Sequence, residues 1–168
     1  MEQPPVTKPD VTDGNPSDEG TTVTTRIASS LDDVEEESNG EIRASSSDLE
    51  MVVDRTKQTV GLRFAGLDIP QGARVRSAHL QFEADSDDDG AARLFISGQA
   101  AIDPAAFTLA DRDVSSRPRT SAIVEWVPAP WRKGDSKDAQ RTPDLSAVLD
   151  EIVGQAGWHA GNSVVLFV

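Results

Sequence analysis

TVGLRFAGLDIPQGARVRSAHLQFEADSDDDG, residues 59–90, decides how the rest of the 168-residue chain is read. Val60, Leu62 and Phe64 alternate with Gly61, Arg63 and Ala65. Ala78, Leu80, Phe82 and Ala84 alternate with His79, Gln81 and Glu83. A period of two sets one face on a core and the other in water, so both segments predict β-strands. Between them, Ile69-Pro70-Gln71-Gly72-Ala73 predicts a turn, because Pro70 presets φ and Gly72 takes a positive φ without a Cβ clash. The second strand, residues 75–83, runs into Asp85-Ser86-Asp87-Asp88-Asp89-Gly90, where the chain reverses before Ala92-Arg93-Leu94-Phe95-Ile96. Strands joined by short reversals predict an antiparallel β protein.

Working outward, residues 1–20 carry four of the ten prolines among Asp, Thr, Gly and Ser, the composition of a disordered tail or linker. The module itself is expected over residues 21–168. TTVTTRI, residues 21–27, is β-branched and predicts a first strand. SSLDDVEEESNG, residues 29–40, is an acidic run that ends in an Asn-Gly turn signal. Residues 47–54 predict a strand with Leu49, Met51 and Val53 inward, and residues 92–97 another. Residues 98–118 are irregular, with Phe107 and Leu109 as anchors. Residues 120–127 predict a strand whose Ala122, Val124 and Trp126 share a face. One helix is specified: Thr142 suits an N-cap, Pro143 the first helical position and Asp144 the positive end of the dipole. Leu145, Val148, Leu149, Ile152 and Val153 fall on one face of it, and Gly154 or Gly157 ends it. The closing run Ser163-Val164-Val165-Leu166-Phe167-Val168 predicts a strand buried on both faces. Seven or eight strands and one short helix near the C-terminus make the expected fold all-β, a two-sheet antiparallel jelly-roll sandwich.

A net charge of −13 disfavours nucleic-acid and anionic-membrane partners, and it suits cation binding or solubility in a salty medium. The absence of cysteine excludes disulfides, zinc thiolates and thiol nucleophiles. No apolar run is long enough to span a membrane. Met1-Glu2-Gln3-Pro4-Pro5 has neither the basic start nor the apolar stretch of an export signal.

Leu62-Arg63-Phe64, Leu67, Ile69-Pro70-Gln71-Gly72-Ala73 and Ser77-Ala78-His79-Leu80-Gln81-Phe82 resemble the core signature of the DNRLRE-type domains. Val124-Glu125-Trp126 with Pro128 and Pro130, the helical stretch 144–153, Gly157-Trp158 and the last strand follow in the same order. The resemblance spans about residues 22–168. It implies a jelly-roll module of secreted bacterial proteins, related to carbohydrate-binding modules: non-catalytic, extracellular or cell-surface, attached to other domains, and often binding polysaccharide. Family members usually continue past the equivalent of residues 163–168 with one more strand. The chain has no tyrosine and three tryptophans, so the aromatic platform of a sugar binder is thin.

Two acidic sets are candidate calcium sites, because calcium takes six to eight oxygens and alternate carboxylates can wrap it. Asp85, Asp87 and Asp89 open a D-x-D-x-D-G loop, but Ile96 stands where a closing Glu belongs, so a solvated hairpin tip is the other reading. Asp33 and Glu35 with Asp48 and Glu50 form the second set, read either as a structural calcium site or as a charged strand edge that discourages aggregation. Trp131, between a Pro-rich turn and a polar loop, is the candidate sugar-stacking residue, with core packing as its alternative. Arg117 and Arg119 could grip an acidic sugar bidentately or pair with the chain's own carboxylates. His79 and His159 show no metal-binding or triad spacing, and no acid–base pair stands out, so no catalytic residue is assigned. The expected function is a binding module for polysaccharide or surface glycan, calcium-stabilised. The alternative is a structural or adhesive domain that assembles through an open sheet edge.

Overall fold

A computed structural model describes residues 20–44, 49, 51, 53–54 and 56–168. Apart from Gly20, the tail expected over residues 1–20 lies outside the described residues. The strands are β1 (Asp33–Glu37), β2 (Ile42–Arg43), β3 (Val53–Asp54), β4 (Thr56–Phe64), β5 (Leu94–Gln99), β6 (Arg119–Trp126) and β7 (Val164–Phe167), with one helix, α1 (Ser146–Val153), between β6 and β7. Six strands form one antiparallel sheet in the order β2-β1-β4-β7-β5-β6, and β3 pairs with the start of β4.

β7 is central, and its sequence explains its place. Leu62 faces Leu166 and Phe64 faces Val164 on one side of the sheet, while Gly61 faces Phe167 and Arg63 faces Val165. With every residue of β7 buried, both faces of the sheet must be covered. On the inner face, Val60, Leu62, Ile96, Trp126, Val164 and Leu166 pack beneath α1 and residues 67–84. On the outer face, Val34, Ile42, Val165 and Phe167 pack beneath the irregular stretch that carries Phe107 and Val114. Phe107 anchors that stretch as expected, whereas Leu109 does not, being 66% exposed.

The cover over the outer face is held by buried charge. Glu36 Oε2 accepts the backbone N–H groups of Val114 and Ser115, both at 2.8 Å. Arg63 donates to Asp32 Oδ1 at 2.7 Å, Pro104 O at 2.9 Å and Ser163 Oγ at 2.9 Å, tying the cover to β4 and the start of β7. Gly61 leaves room for the tip of the Phe107 ring: a Cβ there would lie 2.5 Å from Phe107 Cζ.

Several expected elements change. The acidic run contains β1, because pairing with β4 and the burial of Val34 and Glu36 override the low strand propensity of glutamate. Of residues 47–54, Val53–Asp54 is strand, and Leu49 and Met51 pack on the core; residues 45–48, 50 and 52 lie outside the described residues. Residues 21–27 form no strand. The helix starts at Ser146, with Leu145 at its N-cap, rather than at Pro143. Thr142 is buried, and its Oγ1 accepts the Leu80 N–H at 3.0 Å instead of capping the helix. The apolar face of α1 is as expected: Leu145, Val148, Leu149, Ile152 and Val153 are all buried.

The turn after Ile69 forms, with Gly72 at φ +67° and Ala73 N–H donating to Pro70 O at 3.1 Å. The extended stretch beyond it keeps its alternation, since Leu80 and Ala84 are buried while His79, Gln81 and Glu83 are exposed. Its partner is the chain before α1 and not β4. Ala78 O accepts from Leu145, Leu80 exchanges with Thr142, Phe82 N–H donates to Gln140 O, and Ala84 exchanges with Gly134 and Asp135. The 3-10 turn Asp138–Gln140 interrupts this pairing, so an irregular ribbon covers the inner face in place of a regular ladder.

Candidate functional site

The carboxylates of α1 and its lead-in fix where the ribbon lies. Asp144 Oδ1 accepts the Ala78 N–H at 2.8 Å, and Asp150 Oδ1 accepts the Val75 N–H at 2.8 Å. On the other side of α1, Glu151 accepts the Ser121 and Ala122 N–H groups at 2.8 and 2.9 Å, covering the outer edge of β6. The backbone N–H of Ala78, with help from Ser146, holds the Asp144 carboxyl below its ordinary range against the opposing effect of burial. His79 Nδ1–H donates to Thr142 O at 3.0 Å, which ties its ring to the same ribbon.

These bonds use the backbone of the even-numbered residues Ala78, Leu80, Phe82 and Ala84. In an extended chain the intervening residues point their N–H and C=O groups the opposite way. Among the described residues, no backbone hydrogen bond reaches Ser77, His79, Gln81 or Glu83. Among the described residues, 77–83 therefore present an open strand edge. That edge forms one wall of a groove of about 1430 Å³. Leu62, Phe64, Leu80, Phe82, Leu149 and Leu166 form the apolar floor, and Asp33, Arg74, Arg76 and Lys133 stand among the polar lining residues.

Trp131 is half-buried at this groove, in a three-ring cluster with Phe82 (6.2 Å between centroids) and Trp126 (6.1 Å). Its Nε1–H donates to Ala139 O at 3.3 Å. Arg117 and Arg119 are elsewhere, at the outer face of the sheet. Arg117 donates to Asp113, Gln99, Ala105 and Ala106 and lies 4.3 Å from the centre of the Phe107 ring, so its guanidinium is directed into its own loop. Arg119 stacks on Phe167 at 3.5 Å and donates to Ser97 Oγ at 3.4 Å. Burial lowers its pKa, with Glu36 opposing that shift. The three residues expected to meet a sugar are thus not brought together.

The two acidic sets differ. In the 85–90 loop, Asp87 accepts the Lys133 N–H at 2.8 Å, Asp88 the Gly90 N–H at 2.6 Å, and Asp89 pairs with Arg132 at 2.7 Å; Asp85 is exposed. Strand pairing of Asp88 with Trp131 fixes the loop, so its carboxylates serve the turn and do not converge. Asp33 and Glu35 lie on the inner face of β1, opposite Leu62 and Val60. Burial, together with neighbouring Asp32, raises the Asp33 pKa against the effect of its own backbone N–H. Asp48 and Glu50, their expected partners, lie outside the described residues. Among the described residues no group of three acidic or histidine side chains is arranged to hold a metal ion.

The open edge carries no sequence motif. Its alternation was legible, but which of its edges stays unpaired depends on Thr142, Gln140 and Asp144, some sixty residues away. No helix among the described residues is long and apolar enough to cross a membrane. No family model matches the chain, no curated protein matches it in sequence, and no solved structure matches its fold.

Proposed function

We propose that the chain is a non-catalytic binding module that accepts an extended polypeptide strand along residues 77–83. The observation that carries this reading is the row of backbone groups at Ser77, His79, Gln81 and Glu83 that no described residue bonds, beside an apolar floor. Main-chain bonds to such an edge supply affinity, and the floor takes every second side chain of the incoming strand. In this reading the sheet and the ribbon are two halves of a jelly-roll sandwich, and the added strand extends the smaller half. The wider setting is the one that the DNRLRE resemblance implies, a module of an exported protein joined to other domains. A calcium-stabilised form of the module would begin from Asp33 and Glu35, and melts in excess calcium and in EDTA test that separately.

A basic strand with alternate apolar residues suits a chain of charge −13. The probe is an octapeptide that alternates valine and lysine, titrated into the full chain while backbone amides are followed by NMR. Saturable binding with the largest shifts at residues 77–83 is expected. A second reading, polysaccharide binding, is favoured by Trp131 and Phe82, which both line the groove. Shifts centred on Trp131 with a soluble oligosaccharide, and none with the peptide, would overturn the strand reading in favour of that one.

A further inference from the structure

We infer that residues 21–27 are a strap that closes on the open edge and competes with an incoming strand. The inference rests on the strand-accepting reading and assigns that site a regulator within the same chain. The segment TTVTTRI has the composition of a β-strand, yet among the described residues it has no strand partner. It lies beside a second backbone in the same condition. Gly20 through Ile27 line the groove together with Ser77, His79, Gln81 and Glu83. Gly20 lies against the Arg76 side chain, since a Cβ on it would be 3.7 Å from Arg76 Cδ. At its other end Ile27 packs on the core, and the turn from Ser29 O to Asp32 N–H leads directly into β1.

The anchor at Ile27 sets the facing of the closed strap. In an extended chain Val23 and Thr25 share the face of Ile27. Closing therefore turns Val23, now 39% exposed, toward the apolar floor and leaves Thr22, Thr24 and Arg26 in water. Both segments line one groove, and Gly20 and Ile27 hold the two ends of the strap at it, so closure moves residues 21–26 across the groove while the body keeps its fold.

Competition follows from the population of the open edge. A strap closed about nine-tenths of the time weakens the apparent affinity for an added strand about tenfold. Two measurements on the full chain separate the strap from the site. The chain has no cysteine, so a pair can be introduced cleanly. Thr24→Cys is combined in turn with His79→Cys, Gln81→Cys and Glu83→Cys, and intramolecular cross-linking is timed under mild oxidation. One pair is expected to close much faster than the others, as a fixed register requires. The second variant, Val23→Pro with Thr24→Pro, removes adjacent N–H groups, so strap pairing fails in either register. It is expected to bind the valine–lysine octapeptide about tenfold more tightly than the parent chain, and the fast cross-linked form is expected to bind it at least tenfold more weakly. Uniformly slow cross-linking, with peptide affinity unchanged by the proline pair, overturns the strap while leaving the groove reading intact. A selective cross-link in a chain that binds no peptide, strapped or unstrapped, supports the strap and overturns the groove as a site for foreign strands.

Discussion

Replacing Gly61 by alanine tests the packing that holds the outer layer on the sheet. The new methyl would lie 2.5 Å from Phe107 Cζ and 2.9 Å from Cε1, roughly 1 Å inside the ~3.5–4.0 Å at which carbons rest. Phe107 has little room to withdraw. It is 1% exposed, its N–H donates to Leu31 O at 3.0 Å, and Arg117 lies over its ring. Overpacking of this kind costs about 1–3 kcal/mol. For a domain of this size each kcal/mol moves Tm by about 2–4 °C, so a fall of about 2–12 °C is expected. Thermal and urea melts followed by circular dichroism measure it. Phe107→Leu removes the obstructing ring tip. The double variant should therefore be more stable than the two single effects added together, by at least ~0.5 kcal/mol. A neutral or stabilising Gly61→Ala, or strict additivity with Phe107→Leu, would refute the close approach of ring and strand.

Glu36→Ala should lower the urea midpoint, because it removes the acceptor of the Val114 and Ser115 N–H groups now bonded at 2.8 Å, and the buried Val114 N–H left without a partner costs about 1–3 kcal/mol; Glu36→Gln, which keeps an acceptor oxygen, should lose less, and equal losses would count against the bond. Gly98→Ala should destabilise α1, since a Cβ there would meet Ile152 Cδ1 at 2.6 Å and Val148 Cγ1 at 2.9 Å, and Ala78 and Val75 amides should then exchange faster; unchanged exchange would argue against α1 as the clamp on the ribbon. Asp144 has a folded value below its ordinary 3.8, so the folded state holds fewer protons than the unfolded one, and the stability this contributes is complete above that ordinary value and lost as pH falls through the folded value. Asp144→Asn should accordingly flatten the decline in stability below about pH 4, and an identical acid limb in parent and variant would contradict that assignment.

Period-two alternation carries far in this sequence. It identified β4, the inward residues of β6 and the burial pattern of residues 78–84, because burial is a property of a single strand's two faces. It did not identify partners. Residues 75–83 bond to the stretch before α1 because Thr142, Gln140 and Asp144 offer acceptors and donors there, a match that no local pattern encodes. The acidic run hid β1, since a buried Glu36 is stable only where Val114 and Ser115 approach it across some eighty residues. The apolar run of residues 163–168 was more informative, because a strand buried on both faces must be apolar throughout. Among candidate sites, Arg117 takes the alternative reading, pairing with a carboxylate of the chain, Asp113, while the sequence does not reveal Phe107 and Phe167 beneath Arg117 and Arg119. Trp131 lies half-buried at the groove with its ring in an aromatic cluster, so elements of both of its readings, accessibility and packing, are present.

The most direct test of the open edge is residue-resolved amide hydrogen exchange across residues 77–84, in the full chain carrying Val23→Pro and Thr24→Pro so that residues 21–27 cannot cover the edge, with and without the valine–lysine octapeptide. The account predicts an alternating pattern in the free chain: slow exchange at Ala78, Leu80, Phe82 and Ala84, whose N–H groups are bonded, and faster exchange at Ser77, His79, Gln81 and Glu83. Adding the peptide should slow the second set selectively. Equal protection of both sets in the free chain, or peptide binding that leaves the odd-numbered amides untouched, would contradict the claim that this edge is where the molecule receives its partner.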